Sequence, residues 1–287
     1  MNPLGIHALV WVQGWSEDEC RRAVALTKET GYDLIEIPLL DPAAVDRAMT
    51  RRVLENAGLA ATCSLGLGFD TDVSSADPAV SARGEELLAS AIDVTAALGA
   101  SFLGGVVQSA MGKYLSPATP RGRRNCIEAL KRLALRAERV GVTIGVEAVN
   151  RYESNLVNTA EQALVLVEEI GAENVVVHLD TYHMNIEERN LADPVRHCGA
   201  RLGYVHIGES HRGYLGTGSV AFGELFASLG AIDYTGPLTF ESFSTAVISE
   251  RFASALAVWR DPWHDGRDLA EQARRFIVAQ LSATTKA

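Results

Sequence analysis

The feature that most constrains the fold is an apolar run of strand length that recurs eight times along the 287 residues, each time followed by a helical pattern. Most of these runs are almost continuously apolar and rich in β-branched residues, which is typical of strands buried on both faces of a parallel sheet. The eight runs are GIHALVW (5–11), DLIEIPLL (33–40), ATCSLGL (61–67), FLGGVV (102–107), TIGVEAVN (143–150), VVVHLD (175–180), LGYVHIG (202–208) and LTFESF (238–243).

The segments between the runs carry the signals of amphipathic helices. Ser16, three residues before Glu19, predicts a capping box, and Gly171 stands where a helix-ending glycine is expected. No linker divides the chain, although its length would also suffice for two domains. Eight units of about 36 residues predict a single (β/α)8 TIM barrel over residues 1–287, whose closed sheet has no edges. A doubly wound open sheet is the alternative, but no G-x-G-x-x-G follows the first run.

Charge and cysteine usage narrow the choice of partners and compartment. The chain has 26 Lys and Arg against 36 Asp and Glu, and a net charge of −10 argues against nucleic acid and anionic membranes as partners. We find no apolar run long enough to span a bilayer and no signal-peptide pattern at the start. The four cysteines are scattered and form no C-x-x-C pair, so we expect reduced thiols and a cytoplasmic location.

Four potential metal ligands stand at the ends of the last four runs. They are Glu147, Asp180, His206 and Glu241, spaced 33, 26 and 35 residues apart, or about one strand–helix unit each. Because the carboxyl ends of barrel strands meet at one rim, we expect these side chains to converge there. Three carboxylates and one imidazole suit Mn²⁺, Mg²⁺ or Co²⁺ better than structural zinc. For each of these residues taken alone, the alternative to metal binding is that it is simply a hydrogen-bonded polar group at the end of a strand.

The segments that follow runs five, six and seven are long and polar, which is typical of functional loops on a rigid scaffold. They contain Glu153, His183, Glu209 and Arg212. The stretch GYLGTGS (213–219) has the composition of a flexible lid or a turn, and no lysine follows it in P-loop spacing.

The sequence as a whole resembles a known family. The motifs VNRYESNLVNT, LDTYHMNIEE, YVHIGESHRGYLGTGS and TFESFS are similar to those of the ketose 3-epimerases, which act on D-tagatose, D-allulose and L-ribulose and have xylose-isomerase-like barrels. The likeness covers nearly the whole chain and is strongest to the L-ribulose and D-allulose branch.

The resemblance implies a function and a role for each candidate residue. It implies a cytoplasmic isomerase that interconverts free ketoses at C3, with one divalent ion, Mn²⁺ in preference to Mg²⁺ or Co²⁺. Glu147, Asp180, His206 and Glu241 would be the ligands, and the two glutamates would also exchange the proton through an enediolate. The positions matching substrate contacts are Glu153, His183, Arg212, Trp15 and Cys63.

The sequence departs from other branches of the family at His7 and Met111, where bulkier aromatic side chains are found, so substrate preference stays open. An aldose–ketose isomerase of the same superfamily is the main alternative. A phosphodiester-cleaving barrel would need more histidines, and a sugar-binding barrel without catalysis would not need both glutamates. Relatives assemble as dimers or tetramers, and we predict a homodimer or homotetramer in which Trp259 and Trp263 are candidate interface anchors.

Overall fold

Eight parallel strands close into a barrel, as predicted. The structure, a computed structural model, describes residues 2–284, so the outermost positions of the predicted domain, 1 and 285–287, lie outside the described residues. Each strand pairs in parallel with the next, and the eighth pairs with the first. The strands are β1 (Leu4–His7), β2 (Leu34–Pro38), β3 (Ala60–Ser64), β4 (Phe102–Gly104), β5 (Thr143–Glu147), β6 (Val175–Asp180), β7 (Leu202–Ile207) and β8 (Leu238–Phe240).

The helices pack around the barrel or cover its carboxyl end. They are α1 (Glu17–Glu29), α2 (Arg47–Ala57), α3 (Pro78–Ala97), α4 (Pro120–Arg139), α5 (Ala160–Ile170), α6 (Thr181–Glu187), α7 (Ala192–Cys198), α8 (Phe222–Ala231), α9 (Glu250–Ala255) and α10 (Gly266–Thr284). The predicted capping box of Ser16 and Glu19 is present at α1. Gly171 ends α5 in the left-handed conformation, with φ of 71°. Within residues 2–284, no helix is both long enough and apolar enough to cross a bilayer.

The first apolar run is shorter as a strand than its sequence predicts. Strand β1 ends at His7, and a 3₁₀ turn over Ala8–Val10 follows. The imidazole of His7 causes this change, because its Nδ1 accepts a hydrogen bond from the backbone N–H of Leu9 and so caps the turn. Nε2 of His7 lies 3.4 Å from the hydroxyl of Ser64 and 3.7 Å from Oε1 of Glu36.

The interior of the barrel contains a buried polar layer. The hydroxyl of Tyr204 donates to Oε2 of Glu36 at 2.8 Å and lies 2.8 Å from the hydroxyl of Thr62 and 2.6 Å from that of Thr239. The ring of Tyr204 stacks on Phe102, with centroids 4.3 Å apart. Because buried polar groups need partners, this network ties four strands together below the carboxyl end.

The chain after β8 is anchored over the mouth of the barrel. The indole N–H of Trp263 donates to the hydroxyl of Ser242 at 2.7 Å, and the hydroxyl of Ser244 donates to the carbonyl of Trp263 at the same distance. Residues 244–265, which include α9, therefore form a covering segment that is tied down at both ends. All four cysteines are buried and free, as predicted.

Candidate active site

The structure brings the four predicted metal ligands together at one rim of the barrel. Glu147 and Asp180 end β5 and β6, His206 lies on β7, and Glu241 directly follows β8. Nδ1 of His206 lies 3.4 Å from Oε1 of Glu147 and 3.5 Å from Oε1 of Glu241. Ligand atoms of Asp180, His206 and Glu241 all lie within 4.8 Å of one another. All four side chains are buried.

The donor set fits a divalent cation. Nε2 of His206 donates to Oε2 of Glu36 at 2.8 Å, because an ionised carboxylate can only accept. Nδ1 is thereby turned toward Glu147 and Glu241, and it has no hydrogen-bond partner although it is buried. A nitrogen lone pair among three carboxylates is a ligand set of the kind that Mn²⁺, Mg²⁺ and Co²⁺ accept. The residues present therefore suit the ion that the sequence predicts.

Arg212 reaches into this cluster from the loop after β7. Its Nη1 lies 2.6 Å from Oε2 of Glu241 and 3.2 Å from Oδ2 of Asp180. Its guanidinium lies 3.8 Å from the centroid of the Tyr182 ring and 5.0 Å from that of the Phe243 ring. The two rings fix the plane of the guanidinium, so the charge has a defined position in the site.

The surroundings shift the pKa values of the two glutamates in opposite directions. Burial raises the pKa of Glu147, and the nearby charge of Glu241 adds to this effect. Burial would also raise the pKa of Glu241, but His206 and Arg212 outweigh it and lower the pKa. Two titratable groups whose environments push their pKa values apart are typical of an acid and base pair.

His183 and Glu153 are held by a residue that the sequence analysis did not single out, Asn150. Nδ1 of His183 accepts from the backbone N–H of Asn150 at 3.1 Å and lies 2.8 Å from its Nδ2. Burial lowers the pKa of His183 to about 3, so the ring is neutral and its proton is on Nε2, 3.6 Å from Oδ2 of Asp180. Nδ2 of Asn150 also donates to Oε1 of Glu153 at 2.8 Å. The only sequence signal for Asn150 is its place at the end of the fifth apolar run.

A cavity of about 510 Å³ opens above the cluster. This volume lies within the range of small-molecule sites and suits a sugar of five or six carbons. Six of the predicted site residues line it, and Ser249, Arg251, Phe252 and Leu256 of the covering segment enclose it from outside. The predicted residues in its lining are Glu147, Glu153, His183, His206, Arg212 and Glu241.

Two predicted substrate contacts, Trp15 and Cys63, are not among the residues that line this cavity, and their contact with substrate stays a prediction. The indole N–H of Trp15 donates to the hydroxyl of Thr50 on α2 at 3.1 Å, so this ring packs between helices. Cys63 is buried on β3 between Thr62 and Ser64, which both make contacts inside the barrel. Since side chains alternate along a strand, Cys63 faces the helix layer and Ser64 lines the cavity.

Comparisons with known proteins agree with this architecture. A family profile described as a xylose isomerase-like TIM barrel matches residues 24–277. The L-ribulose 3-epimerase of Methylomonas sp. (strain DH-1) is 52% identical over 273 residues, which is 95% of this chain and 96% of that protein. The ketose 3-epimerase of Arthrobacter globiformis is 49% identical over 280 residues, covering 98% and 97%.

Solved structures lead to the same group. The crystal structure of D-allulose 3-epimerase from Methylomonas sp. in complex with D-allulose matches with a TM-score of 0.96 and 50% identity, covering 97% of each chain. A structure of L-ribulose 3-epimerase matches with a TM-score of 0.97 and 42% identity, covering 100% of this chain and 96% of that one. The chain belongs to the ketose 3-epimerases of the xylose isomerase-like TIM-barrel family, a group of isomerases.

Proposed function

We propose that this protein is a metal-dependent epimerase that inverts C3 of free ketoses. The substrate pairs we infer are L-ribulose and L-xylulose, D-allulose and D-fructose, and D-tagatose and D-sorbose. Relatives at 43–52% identity are named L-ribulose or ketose 3-epimerases, which supports this choice of reaction.

The observation that carries the proposal is that Glu147 and Glu241 approach one point from different strands. Both carboxylates lie within 3.5 Å of the same His206 nitrogen, yet they come from β5 and β8, three strands apart around the barrel. Inverting C3 requires a proton to leave one face of the carbon and return to the other. Two carboxyl groups on opposite sides of the sugar meet this requirement, whereas one carboxyl group reaches only one face.

The two glutamates would divide the work of acid and base according to their surroundings. The guanidinium of Arg212, with Nη1 2.6 Å from Oε2 of Glu241, favours the ionised form of this carboxyl, so its Oε1 is suited to accept the C3 proton. Glu147, whose pKa is raised, is suited to hold a proton and deliver it to the opposite face. In the reverse direction the roles exchange, and such general acid–base assistance contributes about 10²–10⁴-fold to a rate.

Glu147, Asp180, His206 and Glu241 would hold the ion, with Mn²⁺ preferred and Mg²⁺ or Co²⁺ as alternatives. When bound, a divalent ion polarises the C2 carbonyl and stabilises the negative charge of the enediolate. The buried Nδ1 of His206, which has no protein partner, supports its place in this set.

His183, Arg212 and Glu153 would position the sugar. Nε2–H of His183 and the guanidinium of Arg212 are donors suited to O1 and O2, because both are fixed by other contacts. Glu153 presents a carboxylate that Asn150 orients, and it would accept from a sugar hydroxyl or a water. We also infer a homodimer or homotetramer, and the four buried free thiols support a location in the cytoplasm.

The test is the fate of the C3 proton in D₂O. We expect Mn²⁺-loaded enzyme to convert D-fructose to D-allulose with deuterium at C3, and the Glu241→Gln variant to give neither product nor exchange. An aldose labelled at C2 as the main product would instead support the aldose–ketose isomerase. If the enzyme converts none of the ketopentoses and ketohexoses above, the result contradicts both the epimerase and the isomerase.

A further inference from the structure

Glu36 is a buried carboxylate that the proposed reaction does not use. It lies on β2 inside the barrel, with a side chain that is 1% exposed. Its Oε2 accepts from Nε2 of His206 and from the hydroxyl of Tyr204, both at 2.8 Å. Its Oε1 has no hydrogen-bond partner and lies 3.7 Å from Nε2 of His7. A carboxylate in such a place loses its hydration, so an apolar side chain would be the less costly occupant if Glu36 only filled space.

The bond to His206 determines which ring nitrogen faces the other carboxylates. A neutral imidazole carries its proton on either nitrogen, and only the bare nitrogen can bind a metal ion. Because Glu36 accepts the hydrogen bond from Nε2–H, Nδ1 is the nitrogen left to face Glu147 and Glu241. Metal-binding histidines are commonly oriented by a carboxylate on the far nitrogen, and loss of that partner costs about 10–100-fold in metal affinity.

We propose that Glu36 is a positioning residue, which holds the His206 ring with its proton on Nε2 so that Nδ1 is presented to the divalent ion. This inference rests on the proposed function only in that His206 is taken as a ligand. The competing explanation is that Glu36 serves the internal network around Tyr204. The two explanations differ in which hydrogen bond to Oε2 of Glu36 supports metal binding. In the proposal it is the bond from His206, and in the competing explanation it is the bond from Tyr204.

The experiment compares three variants by metal affinity. Mn²⁺ is titrated calorimetrically into the metal-free protein and into Glu36→Leu, Glu36→Gln and Tyr204→Phe. Leucine has no acceptor, so we expect about 10–100-fold weaker binding. Glutamine keeps an acceptor oxygen for Nε2–H and should restore most of the affinity. Tyr204→Phe removes the other hydrogen bond to the same oxygen, and we expect it to leave the affinity unchanged.

A second measurement reports on the ring itself. In Mg²⁺-loaded protein labelled with ¹⁵N-histidine, long-range ¹H–¹⁵N correlation spectra identify which nitrogen of His206 carries the proton, with assignment by loss of the signals in His206→Asn. We expect the proton on Nε2 in the wild type and in Glu36→Gln, and a mixture of forms in Glu36→Leu. This readout remains available if the leucine variant does not fold.

Three results would overturn the proposal. They are a proton on Nδ1 in the loaded wild type, an unchanged affinity in Glu36→Leu, and an equal loss in Tyr204→Phe. The failure of the proposed function looks different, since it would be an absence of Mn²⁺ binding by the wild-type protein itself.

Discussion

The two histidines His183 and His206 each use one ring nitrogen to hold the position of the ring and leave the other for the site. His183 accepts through Nδ1 and presents Nε2, while His206 donates through Nε2 and presents Nδ1. Asn150 uses the two hydrogens of its amide to orient His183 and Glu153 together. Groups that are already fixed before the substrate arrives lose little freedom on binding, which is what a catalytic site requires.

The two glutamates provide the most direct prediction at this scale. Glu147→Gln and Glu241→Gln keep the shape of the side chain but cannot exchange a proton. We expect each change to lower kcat by about 10²-fold or more, measured with D-fructose and L-ribulose at saturating Mn²⁺. The substituted proteins should keep the circular dichroism spectrum of the wild type.

The control for this pair is Glu86→Gln, which changes an exposed glutamate on α3. It should leave kcat as it is. A variant at either Glu147 or Glu241 that retained a tenth of the wild-type kcat would argue against two-base chemistry.

Asn150 gives a second prediction, because it hydrogen-bonds His183 and Glu153, the two proposed substrate contacts, and not the proposed acid and base pair. Asn150→Ala removes its side-chain hydrogen bonds to His183 and Glu153, each of which contributes about 0.5–1.5 kcal/mol. We expect KM for D-fructose to rise on the order of tenfold, with a smaller change in kcat. Steady-state kinetics measure both constants, and a variant with wild-type KM would show that the contacts of Asn150 do not support substrate binding.

These residues show what the sequence alone can and cannot predict. The four strand-end residues were predictable because their spacing matches the repeat of the fold, and the structure brings them together. Glu36 and Asn150 were not, because their roles depend on partners 170 and 33 residues away in the chain. The alternation of β3 identifies Ser64 as the inward-facing neighbour of Cys63, and the substrate contact of Cys63 stays a prediction.

At the scale of elements, the loop after β7 differs most from its sequence reading. Its glycines suggested a flexible lid or a turn, but the buried carboxylate of Glu209 accepts the backbone N–H groups of Ser210, Gly216 and Val220 at 2.8, 2.9 and 3.2 Å. This loop therefore folds around a charged residue. Within it, Arg212 adopts φ of 58°, a conformation that costs a non-glycine residue energy and that the surrounding contacts maintain.

The short helices α6 and α9 were also missed. Asp180 caps α6 by accepting the backbone N–H of Tyr182 at 2.7 Å, so a predicted ligand also starts a helix. Segments of six or seven residues are too short to show a helical repeat, and their stability comes from tertiary packing. The strands and the longer helices were predictable because periodicity and caps agree there.

The Glu209 loop predicts a preference for free sugars over sugar phosphates. In TIM barrels that bind phosphate, backbone N–H groups after strands seven and eight commonly hold the anion. Here three of the loop N–H groups are already bonded to Glu209, and its negative charge would repel a phosphate. We expect kcat/KM for D-fructose and L-ribulose to exceed that for D-fructose 6-phosphate and L-ribulose 5-phosphate.

The covering segment supplies the control, because exposed Arg251 also lines the cavity and could pair with an anion there. Arg251→Gln should leave the ranking of free sugars over phosphates as it is. Faster turnover of any phosphate than of every free ketose would contradict the prediction.

At the scale of the whole molecule, the site places several negative charges at the centre of a chain that already carries a net charge of −10. A bound divalent ion offsets part of the local repulsion and stabilises the folded state by mass action. At a concentration 100 times its dissociation constant, this effect is about 2.7 kcal/mol. We expect removal of metal by EDTA to abolish epimerisation and to lower Tm by about 5 °C.

Scanning calorimetry before and after chelation measures this shift, and added Mn²⁺ should restore both Tm and activity. Asp180→Asn provides a matched comparison, since it removes one of the proposed ligand charges. Full activity after exhaustive chelation, confirmed by metal analysis, would show that the reaction does not depend on an ion.

Assembly is the remaining prediction, and the structure separates the two tryptophans on which it was based. Trp263 is 3% exposed and anchors the covering segment, so it is not available to a partner. Trp259, four residues earlier, is 73% exposed and lines a separate pocket of about 400 Å³, and aromatic side chains of this kind are enriched at the centres of protein interfaces. We expect a dimeric or tetrameric mass by light scattering at micromolar concentration, and a smaller mass for Trp259→Ser.

Leu135→Ser, at a 58% exposed position on α4, is the matched control and should keep the wild-type mass. A monomeric wild type would refute the prediction, whereas an oligomer that survives Trp259→Ser would mean that another surface holds the subunits together.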